Sequence, residues 1–145
     1  MPTTFMRLDD LQPSQLFISS EKLSRIERGY DPQRLDLLEP VPVKELDDQV
    51  ILTDGHTRAL FAYMSGHTEI PATWDEDELD WDAYRICVAW CQKARISTVA
   101  DLLGRVLGPE AYETHWLERC RQMQQGLAEQ RQRENRKEER RRDGS

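Results

Sequence analysis

Asp54, Gly55, His56, Thr57 and Arg58 set a carboxylate, a turn residue, an imidazole, a hydroxyl and a guanidinium side by side. The apolar run Val50-Ile51-Leu52-Thr53 stops at Asp54-Gly55, and a helical pattern starts at once through Ala59 and Leu60. A strand that turns into a helix through glycine leaves free N–H groups at the positive helix end, a natural seat for phosphate or another anion. Arg58 adds a bidentate phosphate clamp. Thr57 brings a hydroxyl for phosphate or metal, and Asp54 one oxygen ligand for a magnesium ion completed by a nucleotide. His56 suits ligand contact or proton transfer near neutral pH. Each residue also has a plainer use: Asp54 as an N-cap, Gly55 as a tight turn, His56 as a neutral hydrogen-bond partner. Thr57 would then bond the backbone, and Arg58 a surface carboxylate.

The elements that must position these groups are short. Met6–Leu8 reads as a strand, and Ser19 or Ser20 caps a helix carrying Leu23 and Ile26 that ends near Gly29. Val41-Pro42-Val43 reads as an edge strand, because proline donates nothing to a ladder. Asp47-Asp48-Gln49 turns the chain back into Val50–Thr53. The helix after Gly55 is expected to bury Leu60, Phe61 and either Tyr63 or Met64 before Gly66 closes it, and Ile70–Trp74 is the last strand. From Trp81 the pattern is helical: Trp81, Tyr84, Cys87, Val88 and Cys91 share a face to about Ala94. Thr98 and Asp101 have capping-box spacing, and Gly108-Pro109 restarts the chain into a long helix through Tyr112, Trp116, Cys120 and Met123. The expected fold class is α/β (α+β). Residues 1–74 form the α/β unit, 75–127 a helical segment packed on it, and 128–145 a charged tail, a solvated helix or disordered.

The first 74 residues resemble the ParB/sulfiredoxin-like family. The likeness lies in Leu8–Leu16, a helix, Glu39-Pro40-Val41-Pro42-Val43, Val50–Ala62 with its Gly-x-x-Arg core, and Ile70-Pro71-Ala72. It implies a small mixed sheet with packed helices and a nucleotide phosphate at the Gly-x-x-Arg helix. The nearest local match is the Asp-Gly-His-x-Arg form of the family's free serine kinases, met here by Asp54, Gly55, His56 and Arg58. Those kinases use a catalytic glutamate from the N-terminal part, so Glu21 and His56 are the catalytic candidates. ParB itself has acidic and arginine residues where this chain has His56 and Thr57, and sulfiredoxin a cysteine where it has His56. The resemblance therefore implies ATP, ADP or CTP with magnesium at Asp54–Arg58, with phosphoryl transfer to a small molecule as the associated chemistry.

The bulk composition bounds the alternatives. A chain of 145 residues supports one domain with a real core. The tail 129–143 carries a net charge of +2, so residues 1–128 carry −9 of the total −7, which repels a phosphate backbone and disfavours nucleic acid. No apolar run approaches a membrane span, no secretory layout opens the chain, and three cysteines without disulfide spacing suit the cytoplasm. Cys87, Cys91, Cys120 and His115 match no metal-ligand spacing and read as core. The acidic run Asp75–Asp82 lacks the pattern of a calcium loop and reads as a solvated helix approach. Lys44 could reach a phosphate from the end of a strand, but also suits plain solvation. Two other readings stand beside nucleotide binding: a non-catalytic module whose helical half binds a protein partner, and a DNA-associated ParB-like factor.

Overall fold

The computed structural model describes residues 3–144. It is a mixed α/β fold. Strands β1 (Thr4–Arg7), β3 (Val41–Leu46), β4 (Gln49–Leu52) and β5 (Glu69–Trp74) form a sheet in the order β1-β5-β3-β4. β3 lies parallel to β5, and the β1–β5 and β3–β4 pairs are antiparallel. A second, two-stranded sheet joins β2 (Ile18–Ser19) in parallel to β6 (Val106–Leu107). Helix α1 spans Ser20–Gly29, α2 His56–Met64 and α3 Trp81–Lys93. A helical run then goes from α4 (Pro109–Tyr112) through a π turn at Glu113–Leu117 into α5 (Glu118–Asp143).

Local chemistry accounts for most of these boundaries. Ser19 Oγ accepts the Lys22 N–H at the start of α1, and Asp80 Oδ1 that of Ala83 at the start of α3. Asp101 Oδ2 accepts the Ser97 and Thr98 N–H groups at 2.9 and 3.1 Å, ahead of a 3₁₀ helix over Val99–Arg105 rather than an α-helix. Asp47 and Asp48, at φ 49° and 67°, make the two-residue turn that fixes Leu46 opposite Gln49.

Two expectations are corrected. β3 is not an edge strand, since β5 and β4 flank it. Pro42 is tolerated there because its carbonyl still accepts the Thr53 N–H at 3.1 Å. The Thr53 carbonyl, which a residue with an N–H at position 42 would satisfy, accepts instead from the Tyr84 hydroxyl at 3.0 Å. On α2, Leu60 and Phe61 are buried, whereas both Tyr63 and Met64 are exposed, because α1, the Val99–Arg105 3₁₀ helix and the sheet cover its other faces.

The main core joins the sheet to the helical half, and a second, smaller cluster gathers Leu46, Ile51 and Val88. Val41, Val43, Leu52, Leu60 and Ile70 from the sheet and α2 pack in the same cluster as Cys91, Val99, Leu102 and Trp116. Trp116 also meets Trp90 edge to face at 6.2 Å between ring centroids. These tryptophans and the cysteines are therefore packing residues, and burial pushes the Cys87 and Cys91 thiols up to about 12. The tail is helical: α5 continues to Asp143, and Arg131 ties it back to Asp80 and Asp82 at 2.8 and 3.3 Å. No helix among the described residues is long and apolar enough to cross a membrane.

Candidate functional site

The end of β4 is held from three sides. Thr53 Oγ1 donates to Asp75 Oδ2 at 2.8 Å, its N–H bonds Pro42, and its carbonyl takes the Tyr84 hydroxyl. Beyond it the chain turns at Gly55, which adopts φ 75° and ψ 20°, a left-handed conformation that costs a side-chain-bearing residue about 1–2 kcal/mol. A Cβ there would also lie 2.8 Å from Val41 Cγ1 and 2.9 Å from Arg58 Nη2, so both the turn and the space require glycine.

Gly55 occupies the N-cap position of α2, and no side chain caps the helix. Of the two roles open to Asp54, ligand and N-cap, the cap is not adopted: the αL turn puts glycine at the cap, and Asp54 is exposed. The N–H groups of His56, Thr57 and Arg58 belong to the first helical turn and have no carbonyl one turn back.

His56 is 3% exposed and lies at the first position of α2. Its Nε2 accepts the Ser14 N–H at 2.9 Å, while the Ser14 hydroxyl donates to the Leu52 carbonyl at 2.7 Å. An Nε2 that accepts places the proton of the neutral ring on Nδ1. That Nδ1 is buried and has no hydrogen-bond partner. Burial pulls the ring's pKa down to about 4, outweighing the opposing pull of the Asp54 carboxylate. His56 is thus a neutral donor at physiological pH and has no free base nitrogen, which removes it as a general base.

Arg58 is partly buried and is committed on one side. Nη1 donates to the carbonyls of Glu39, at 2.6 Å, and Pro40, at 3.0 Å, tying the segment before β3 to α2. Glu39 Oε2 lies 3.9 Å from Nη1 and is largely solvent-exposed. Neither Nε nor Nη2 has a protein acceptor among the described residues. Arg58 therefore fastens the loop while keeping donors in reserve. Thr57 is buried at the same helix end.

These residues line one cleft of about 300 Å³ with Gln15, Lys22, Arg25 and Ile26. Asp54, Gly55, His56, Thr57 and Arg58 are all brought together, and two sequence candidates are not. Glu21 lines a separate surface depression with Ser24 and Arg28, which shares Arg25 with the cleft but does not reach the Asp54–Arg58 turn. Lys44 donates to the Asp77 carbonyl and sits 5.3 Å from the centroid of the Trp81 ring, outside the cleft. Lys22 and Arg25 went unnoticed in the sequence. Their spacing with Ile26 marks a common helix face, but nothing local says which face meets the Asp54–Arg58 turn. Among the described residues no group of three or more His, Cys, Asp or Glu side chains is placed to hold a metal ion.

No protein-family model matches the chain, and no curated protein matches its sequence. Among solved structures it is similar to the protein Atu1540 from Agrobacterium tumefaciens, at 15% identity and a TM-score of 0.44. That similarity covers 70% of this chain and 61% of the other, so the chain spans less than two thirds of that protein's length.

Proposed function

We propose that the cleft binds a nucleotide through its phosphates at the N-terminus of α2. The observation that carries this reading is the buried Nδ1–H of His56, which has no partner among the described residues, on a residue that lines the cleft. A buried donor without an acceptor costs about 1–3 kcal/mol, and a phosphate oxygen is the kind of group that relieves it. The residues that carry the uncapped amides of α2 and the spare donors of Arg58 line the same cleft. The resemblance of Asp54–Arg58 to the ParB/sulfiredoxin-like motif points the same way. Magnesium fits only as a companion of the nucleotide: Asp54 offers one exposed carboxylate, and phosphate oxygens and water would complete the shell.

Binding is favoured over catalysis. Glu21 lies outside the cleft, and His56 is a neutral ring whose acceptor nitrogen is already used by Ser14. The remaining titratable groups there, Lys22, Arg25, Arg58 and Asp54, hold and neutralise charge rather than move a proton. The chain is accordingly read as a nucleotide-responsive binding module.

Amide-resolved NMR during titration with ATP, ADP or CTP, each with magnesium, tests this directly. The largest shifts are expected at the His56, Thr57 and Arg58 N–H groups and at His56 Nδ1. If those signals stay put at millimolar nucleotide, the α2 site is not a phosphate site.

A further inference from the structure

The cleft has a second wall that the α2 turn does not explain. Lys22 and Arg25 project from α1, three residues apart, and both are exposed. With Arg58 they bring three cations to a cleft whose one carboxylate is Asp54. The chain as a whole carries −7, so the sign of the charge is locally reversed. Asp54 forms no ion pair with any of the three, nor do Lys22 and Arg25 pair with another carboxylate among the described residues. Among the described residues the one protein bond of the Arg25 guanidinium is long, Nε to the Glu21 carbonyl at 3.5 Å. Glu39, beside Arg58, is 84% exposed and screened by water.

We propose, resting on a phosphate seated at the α2 N-terminus, that Lys22 and Arg25 grip a second phosphate, so that the cleft selects a di- or triphosphate over a monophosphate. The helix end carries about half a unit of positive charge, and with the His56 Nδ1–H it suits one phosphate group. Two further exposed cations from α1 suit the charge that follows along the chain. The unpaired Asp54 completes the match, because a polyphosphate arrives with magnesium and a carboxylate can share that ion. Size agrees: about 300 Å³ is at the small end of small-molecule sites and exceeds what a lone phosphate fills. The two groups act as specificity residues and take no part in bond making.

Calorimetric titration of the full chain with phosphate, pyrophosphate, AMP and ADP, in magnesium, tests the second wall. The wild-type protein should bind ADP about tenfold more tightly than AMP, and pyrophosphate about tenfold more tightly than phosphate. In the double variant Lys22→Gln/Arg25→Gln both ratios should fall to about twofold, with AMP affinity changed less than about threefold. Both positions are exposed, and a ratio is insensitive to the folded fraction. A variant that keeps the wild-type ratio overturns the role of α1, as does a wild-type protein that binds AMP and ADP equally; the α2 phosphate reading survives either result. Absence of binding by all four ligands removes that reading and the second wall together.

Discussion

His56 makes the protein's stability depend on pH in a defined window. Its ring is fully enclosed, accepts from Ser14 at 2.9 Å and has a pKa lowered to about 4. In the unfolded chain the ring returns to its ordinary value of 6.5. Between those values the unfolded state binds the proton that the folded state refuses, so stability rises with pH. The contribution is complete above 6.5 and is lost as pH falls toward 4. A displacement of this size is worth about 3 kcal/mol in full, and about 2 kcal/mol of it disappears between roughly pH 7 and pH 5. Against a total of about 5–15 kcal/mol for a typical domain, that is a large share.

The carboxylates held down by arginine or backbone partners, Asp36, Asp80 and Glu118 among them, act lower. Their contributions are present above the ordinary carboxylate values and fade only as pH drops beneath them, so the two windows separate. Urea unfolding at pH 7 and pH 5 is the assay, with His56→Gln as the reference that cannot titrate. A loss of about 2 kcal/mol moves the wild-type midpoint by about 1 M at a typical slope. The variant starts lower at pH 7 and lacks that part of the pH shift. An NMR titration of the wild-type ring gives the site directly and needs no variant. A measured His56 pKa at or above 6.5, or equal pH shifts in both proteins, would refute the buried neutral donor and with it the support for a phosphate at Nδ1.

Two further outcomes follow from the surrounding geometry. Gly55→Ala puts a Cβ against Val41 and Arg58 at φ 75°, and should cost about 2–4 kcal/mol in urea unfolding; a loss under about 0.5 kcal/mol would show that the turn relaxes freely. Tyr84→Phe removes the hydroxyl that serves the Thr53 carbonyl opposite Pro42, and should cost about 1–2 kcal/mol. If Tyr84→Phe is neutral, water replaces the hydroxyl and the account of proline in an interior strand fails.

Local signals carried much of this fold. The Asp47-Asp48 turn, the Ser19 cap, the Thr98/Asp101 spacing and the strand–glycine–helix passage at Val50–Leu60 all depend on near neighbours, and each is present. The misreadings share a different character. Pro42 looked like an edge residue because its relief comes from Tyr84, on a helix that starts 39 positions further along. Tyr63 and Met64 sit at plausible apolar spacing, and only the placement of the elements packed on α2 decides that they face out. Asp54 has the right chemistry for a cap, but the backbone reaches helical geometry one residue later, after the αL turn. The five-residue centre of the site was legible because it is contiguous; Ser14, Lys22 and Arg25 join it across the chain and left no local mark.

The way helices begin in this molecule bears on what the site is for. α1 and α3 start on the side-chain oxygens of Ser19 and Asp80, and the Val99–Arg105 turn on Asp101 reaching back. At α2 an aspartate is present one residue before the cap and does not serve, the cap is a glycine in a strained-for-others conformation, and the first side chain is a histidine with a buried, unused N–H. Of these, the buried N–H is the costly one, at about 1–3 kcal/mol, whereas a glycine cap gives up only a few tenths against serine or asparagine. The three features fall on consecutive residues, Asp54, Gly55 and His56, in the wall of one cleft. Donors left open at a helix end, together with an unpaired carboxylate beside them, are satisfied at once by an anion that carries its own metal ion. Under the proposed phosphate reading, a bound ligand would offset the cost of the α2 start.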